Sequence, residues 1–223
     1  AAAFVTEAIR PHINGRFVDM MFAAETHPRM LVYLDQRNSI GPNSRYSQRR
    51  PDRNLGLNEN LAREMIELHS LGVGADYTQK DVRELAELLT GLTYNANSDT
   101  NFDPNRAEPG PETVLGFTYG GEDAARIEDV RAVINDLAAH EATAGHLARK
   151  MAVHFVADDP PQALVDRLKQ AFIDSGGDLF AMNRTLAEAP ELASTFRKKV
   201  RQPFDFMIAS LRSVGFDRQQ IMD

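Results

Sequence analysis

The chain of 223 residues predicts a mainly α protein, a multi-helix bundle carrying one small irregular or β-ribbon insert around residues 92–121. Three observations predict it. Apolar residues recur at helical spacing over most of the length, helix-starting and helix-stopping residues bound those stretches, and the turn residues concentrate in the one insert. Phe17, Val18, Met21 and Phe22 make the first buried stripe, and Met30, Leu31 and Leu34 a second, short helix begun by Pro28. Over 36–57 periodicity stops, and Arg37, Arg45, Arg49, Arg50 and Arg53 gather among Asn, Ser, Gly and Pro, which reads as a long loop. Asn58 or Asn60 caps the next helix, whose stripe runs through Leu61, Met65, Leu68 and Leu71 or Gly72 before Gly72 and Gly74 end it. Thr78 caps the helix after that, with Asp81 where a capping box prefers Glu or Gln. Val82, Leu85, Ala86 and Leu89 form its apolar side, and the two helices read as an αα-hairpin.

In the insert, Leu92-Thr93-Tyr94 and the run from Thr113 to Tyr119 read as two short strands pairing with one another, with an ordered loop of little sheet as the alternative. After Gly120-Gly121, helices are predicted over 122–138, 143–156, 161–175, 178–188, 190–200 and 203–214, punctuated by Asp158-Asp159-Pro160-Pro161, Gly176-Gly177, Pro190 and Pro203. The opening Ala-Ala-Ala-Phe-Val-Thr-Glu-Ala-Ile-Arg reads as the middle of an amphipathic helix. Residues 1–223 are therefore expected to form a single helical domain that is an internal piece of a longer chain.

A chain of this size buries roughly 70% of its unfolded surface and needs no covalent staple. Cysteine and tryptophan are both absent, so thiolate metal sites, thiol catalysis and disulfides are excluded. A formal net charge of −7 and a pI near 5.4 argue against a general nucleic-acid partner, although a local basic patch stays open. No apolar run is long enough for a membrane-spanning helix, and no cofactor is expected.

The polar cluster at 58–69 is the first candidate site. Asn58, Glu59, Asn60 and Arg63, together with Arg37 from the preceding loop, are the candidate ligand-binding residues; Glu64, Glu67 and His69 are the candidate catalytic ones. Two carboxylates beside a guanidinium suit acid–base work or a hard cation. Glu67 and His69, however, stand about 200° apart round a regular helix and do not face a common ion, so no metal is expected. The same residues equally describe a capped, ion-paired helix. The arginine loop could grip a phosphate, sulfate or sugar acid through bidentate contacts, or be a solvated loop.

His69 falls on the strip of Ala62, Met65 and Ile66, and His154 on that of Leu147 and Met151, so both are expected to be partly buried and hydrogen-bonded. His27 suits a helix cap. His140 and His146 flank a helix start and lack a third ligand for zinc. Asn95, Asn97, Asp99, Asn101 and Asp103 alternate like a calcium loop but lack its glycine and final glutamate. Nucleophile elbows, Walker loops and dinucleotide fingerprints are absent from the sequence.

The block from Gly56 to Val73 (Gly-Leu-Asn-Glu-Asn-Leu-Ala-Arg-Glu-Met-Ile-Glu-Leu-His-Ser-Leu-Gly-Val), followed by Tyr77-Thr78-Gln79 and Leu88-Leu89-Thr90-Gly91, resembles the signature of an uncharacterised bacterial family, domain of unknown function 1800. His27-Pro28-Arg29-Met30-Leu31, Pro111-Glu112-Thr113-Val114-Leu115-Gly116 and the stretch from Ala148 to Val156 extend the resemblance over most of residues 10–200. It implies a longer chain and an exported, periplasmic or secreted protein, and no reaction. Two positions depart from the pattern. Ala107-Glu108 stands where relatives usually carry His-Asp, and Leu92 where a Trp often follows Leu-Thr-Gly. The expectation is a noncatalytic binding or assembly module whose loop 36–57 and insert 92–121 face an unknown protein or an anionic small molecule. The alternative is a hydrolase-like or metal-assisted enzyme acting on an anionic or carbohydrate-like substrate.

Overall fold

The computed structural model describes residues 2–53, 55–94, 101–195, 199–217 and 219–220. Its helices are α1 (Ala2–Phe4), α2 (Phe17–Glu25), α3 (Pro28–Tyr33), α4 (Arg45–Gln48), α5 (Asn60–Glu64), α6 (Gln79–Leu88), α7 (Ile127–Ala139), α8 (Glu141–Phe155), α9 (Gln162–Asp174), α10 (Leu179–Ala187), α11 (Pro190–Ser194) and α12 (Pro203–Ser213). Strands β1 (Glu112–Val114) and β2 (Phe117–Tyr119) form one antiparallel two-stranded sheet. The mainly α class with a small β insert is therefore what the chain adopts. No helix among the described residues is long and apolar enough to cross a membrane.

The local signals act where the sequence places them. Thr78 Oγ1 accepts the Asp81 N–H while Asp81 accepts the Thr78 N–H at 2.8 Å, a complete capping box. His27 Nδ1 accepts the Arg29 N–H at 3.1 Å, and His140 Nδ1 accepts the Ala142 N–H at 3.1 Å, so both imidazoles are caps. Leu61, Met65, Ile66, Val82, Leu85 and Leu89 from the helix hairpin pack into one core with Val130, Ile134 and Leu137 of α7 and Leu164, Leu168 and Phe172 of α9. The N-terminal segment closes on the far end of that core: Phe17 N–H donates to Gly177 O and Leu179 N–H to Gly15 O.

Four readings of the sequence are corrected. The stripe through Leu68 fails, because Met65–His69 winds as a π-helical turn; the wider turn exposes Leu68 and leaves Leu71 buried. The loop over 36–57 contains a short 3₁₀ turn at Gln36–Asn38 and the helix α4, begun by Ser44 Oγ accepting the Ser47 N–H. The strands do not include Leu92-Thr93-Tyr94. They form within the second run and the residue before it, Glu112, joined at Leu115 (φ 51) and Gly116 (φ 82), a tight turn with both central residues left-handed, and Leu92 makes an isolated bridge to Phe102. Finally, His154 is exposed, its ring set edge-on to Phe155, and it hydrogen-bonds to no described residue.

Candidate functional site

The 58–69 cluster separates into three parts with different duties. Asn58 is a clamp: its Nδ2 donates to Leu34 O and Asp35 O at 3.2 Å, its N–H donates to Ser39 Oγ, and its Oδ1 accepts the Asn60 N–H at 2.9 Å. It thereby pins the 34–39 turn to the start of α5, and Asn60 takes part through its backbone. Glu59, Arg63 and Glu67 stand one turn apart. Arg63 reaches Glu59 and Glu67 at 3.2 Å each and Gln79 at 2.7 Å, and Gln79 returns to Glu59 at 2.8 Å. This is a closed, solvent-facing network joining α5 to the start of α6, a geometry of modest energetic weight. Arg37 is exposed, and its carbonyl accepts from Arg106.

The third part turns inward. His69, at the end of the π-helical turn, puts Nδ1 2.7 Å from Oε1 of Glu25, off the line of a well-directed hydrogen bond. Glu25 closes α2, is 1% exposed, and its Oε2 has no partner among the described residues. Burial pushes the imidazole pKa down, but the contact with Glu25 and the charge of half-buried Glu64 outweigh burial and the opposing Lys150, so it lies above the ordinary 6.5. A buried carboxylate holding a histidine is two-thirds of a nucleophilic triad. The neighbouring Ser70 does not complete it, because its hydroxyl donates to Met65 O at 2.6 Å.

The arginine loop is built around Tyr46, over which Arg50 stacks at 3.9 Å and Arg106 lies at 5.5 Å. Arg106 also donates to Ser39 O at 3.2 Å, and burial lowers its pKa. Glu108 is buried and accepts both the backbone and the side-chain N–H groups of Asn43, while its own N–H donates to Thr90 Oγ1 at 2.8 Å. Its carboxylate sits where a Cβ on Gly41 would lie, 2.6 Å from Oε2, so Gly41 is the residue that admits it. Ala107 is buried in the core. Of the calcium-like stretch, residues 95–100 lie outside the described residues; Asn101 Nδ2 donates to Thr26 O, and Asp103 Oδ1 accepts from Asn105.

Sequence reasoning missed two groups. Glu84 and Glu87 on α6 meet Glu112 of β1, which is 6% exposed. Burial first, then the charges of Glu87 and Glu84, raise the Glu112 carboxyl from 4.5 to about 8, so it carries a proton at neutral pH. The spacing of Glu84 and Glu87 was a visible signal; the strand that brings the third carboxyl was not. Asp81 and Glu84 also hold the hairpin in place, accepting the N–H groups of Leu115 at 2.7 Å and Thr113 at 2.8 Å. The second group is a basic cleft between α8 and the segment at 199–205, lined by Arg149, Lys150, Lys199 and Arg201.

The clefts of 590, 840 and 500 Å³ are lined by residues other than Glu25, Arg63, Glu64, Glu67 and His69. Among the described residues, no group of three or more His, Asp or Glu is placed to hold a metal ion. The family described as protein of unknown function (DUF1800) matches residues 1–223, and the chain belongs to it. No curated protein and no solved structure matches the chain.

Proposed function

From membership of a family that brings no reaction with it, we propose that the chain is a noncatalytic binding or assembly module of an exported bacterial protein. The observation that carries the reading is α12. No residue of this helix is buried, yet it presents Phe204 at 67% and Phe206 at 63% exposure, with Met207 also open to solvent and Val214 and Phe216 exposed just beyond its end. A helix apolar on several sides is stable in water only when something covers it. The partner we assign is a protein surface with a complementary apolar face. Support also comes from the motif, whose charges are satisfied by one another in an open network.

The test is crosslinking with a photoreactive phenylalanine analogue at position 206 in cells that make the protein. A light-dependent adduct of higher mass is expected, and it should persist when Arg63 and Glu64 are both replaced by Ala. A folded protein that forms no adduct ends the proposal. The enzymatic alternative keeps one observation in its favour, the Glu25–His69 pair, and predicts an activity abolished by His69→Ala.

A further inference from the structure

The cleft between α8 and residues 199–205 has a volume of about 840 Å³, within the range of small-molecule sites. Its charge is opposite to that of the whole chain. Against a net charge of −7 it gathers Arg149, Lys150, Lys199 and Arg201, with Asp205 as the acid in its lining. Not all of these cations are free. Lys199 is paired with Asp158, which also accepts the Val200 N–H at 3.3 Å and so ties this wall of the cleft to the α8–α9 connection. Among the described residues Lys150 donates to the Leu68 carbonyl alone, at 3.4 Å. Arg149 and Arg201 make no hydrogen bond or ion pair with any described residue, and both are exposed.

Two guanidinium groups that line one concavity, one from α8 and one from the 199–205 segment, and that have no partner among the described residues are poorly explained as solubilising charge. Guanidinium forks match phosphoryl oxygens two at a time, which an isolated ammonium cannot do. Val153 and Val200 add apolar wall beside them. A polyanionic surface is a poorer fit, because the remaining excess of acid repels it while a small ligand can enter the cleft alone. We propose that this cleft binds a small organic phosphate, with Arg149 and Arg201 gripping the phosphoryl oxygens and Val153 and Val200 contacting the carbon skeleton. The site lies outside the 58–69 motif and does not depend on the apolar helix having a protein partner.

The probes are sodium tripolyphosphate and phenyl phosphate, titrated calorimetrically against the whole chain. Saturable binding is expected, weakening as salt is raised. Arg149→Ala with Arg201→Ala should weaken it tenfold or more, and the Lys double replacement, which keeps charge and loses the fork, should fall between. The double replacement Arg49→Ala, Arg53→Ala in the arginine loop should leave it unchanged. Absence of saturable binding, or equal weakening by both alanine pairs, overturns the site. Sedimentation with phosphatidylserine vesicles in place of phosphate binding overturns it too, in favour of a membrane surface. Circular dichroism of each variant separates loss of ligand from loss of fold.

Discussion

Replacing Glu112 by Gln should make the protein more stable in alkali, the reverse of the usual effect of neutralising a buried residue. In the folded protein the carboxyl holds its proton to about pH 8, while in the unfolded chain it releases it near 4.5. Between those values the folded state binds more protons, so stability falls as pH rises; the contribution is complete below 4.5 and lost above about 8. At about 1.36 kcal/mol for each tenfold change in proton affinity, the full difference caps the effect at about 5 kcal/mol. The neighbouring side chains of Glu84 and Glu87 stay 22% and 18% exposed and have Lys80 at 3.9 Å and Arg83 at 3.1 Å. Water and these cations screen the repulsion, so about 1–3 kcal/mol is the expected size. The assay is urea unfolding of both proteins at pH 5, 7 and 9, with equal m-values as the check that the unfolded states match. The wild type should lose about 1–3 kcal/mol more than the variant between pH 5 and 9. Parallel pH profiles for the two proteins would refute the claim that Glu112 is folded in a protonated state.

Three other expectations concern the remaining polar groups. Asn58→Ala should cost about 1–2 kcal/mol in thermal or urea unfolding, because the Leu34 and Asp35 carbonyls and the Asn60 N–H at the helix start all lose their partner, whereas Arg63→Ala should cost under about 1 kcal/mol; the opposite order would show the motif to be held by its charges. Glu108→Ala leaves the Asn43 N–H groups without an acceptor and should cost about 1.5–3 kcal/mol, with faster limited proteolysis between residues 41 and 53 as its local signature. For His69 the folded pKa is raised, so its contribution is present below 6.5 and disappears as pH rises through the higher folded value. An NMR titration should find that value lowered by Glu25→Gln, and an unchanged titration would mean that Glu25 is not what holds the proton.

What the sequence made legible was whatever is decided within a few residues. Thr78 with Asp81 and His27 before Pro28 are caps because the acceptor and the amide it satisfies lie two or three positions apart, and His140, which the sequence places only beside a helix start, caps α8 in the same way. The π-helical turn has no comparable signal, so regular periodicity puts Leu68 in the core whereas the structure exposes it. The sequence pairs the hairpin strand with the wrong partner for a similar reason. Its turn uses Leu115 in a left-handed conformation instead of the Asn-Gly or Asp-Gly pair that normally announces such a turn. The rest was invisible because it is made by distance along the chain: Glu25 meets His69, Glu84 and Glu87 meet Glu112, and Arg149 lines one cleft with Arg201, each across elements whose packing no local pattern encodes. The candidate list thus contained His69 and Glu64 but could not contain the carboxylate that gives His69 its character.

The widened backbone at Met65–His69 works as a selector. Deleting one residue there would return the turn to ordinary winding with its flanks still in register, because the wide turn takes up one extra residue; the side chains on the turn itself would be redistributed round the axis, and with them the group set opposite Glu25. Two family members that differ only by that single slot would align without a gap in their flanking segments and yet offer different chemistry to the same carboxylate. Matching such chains position by position would therefore compare residues that never occupy the same place in space.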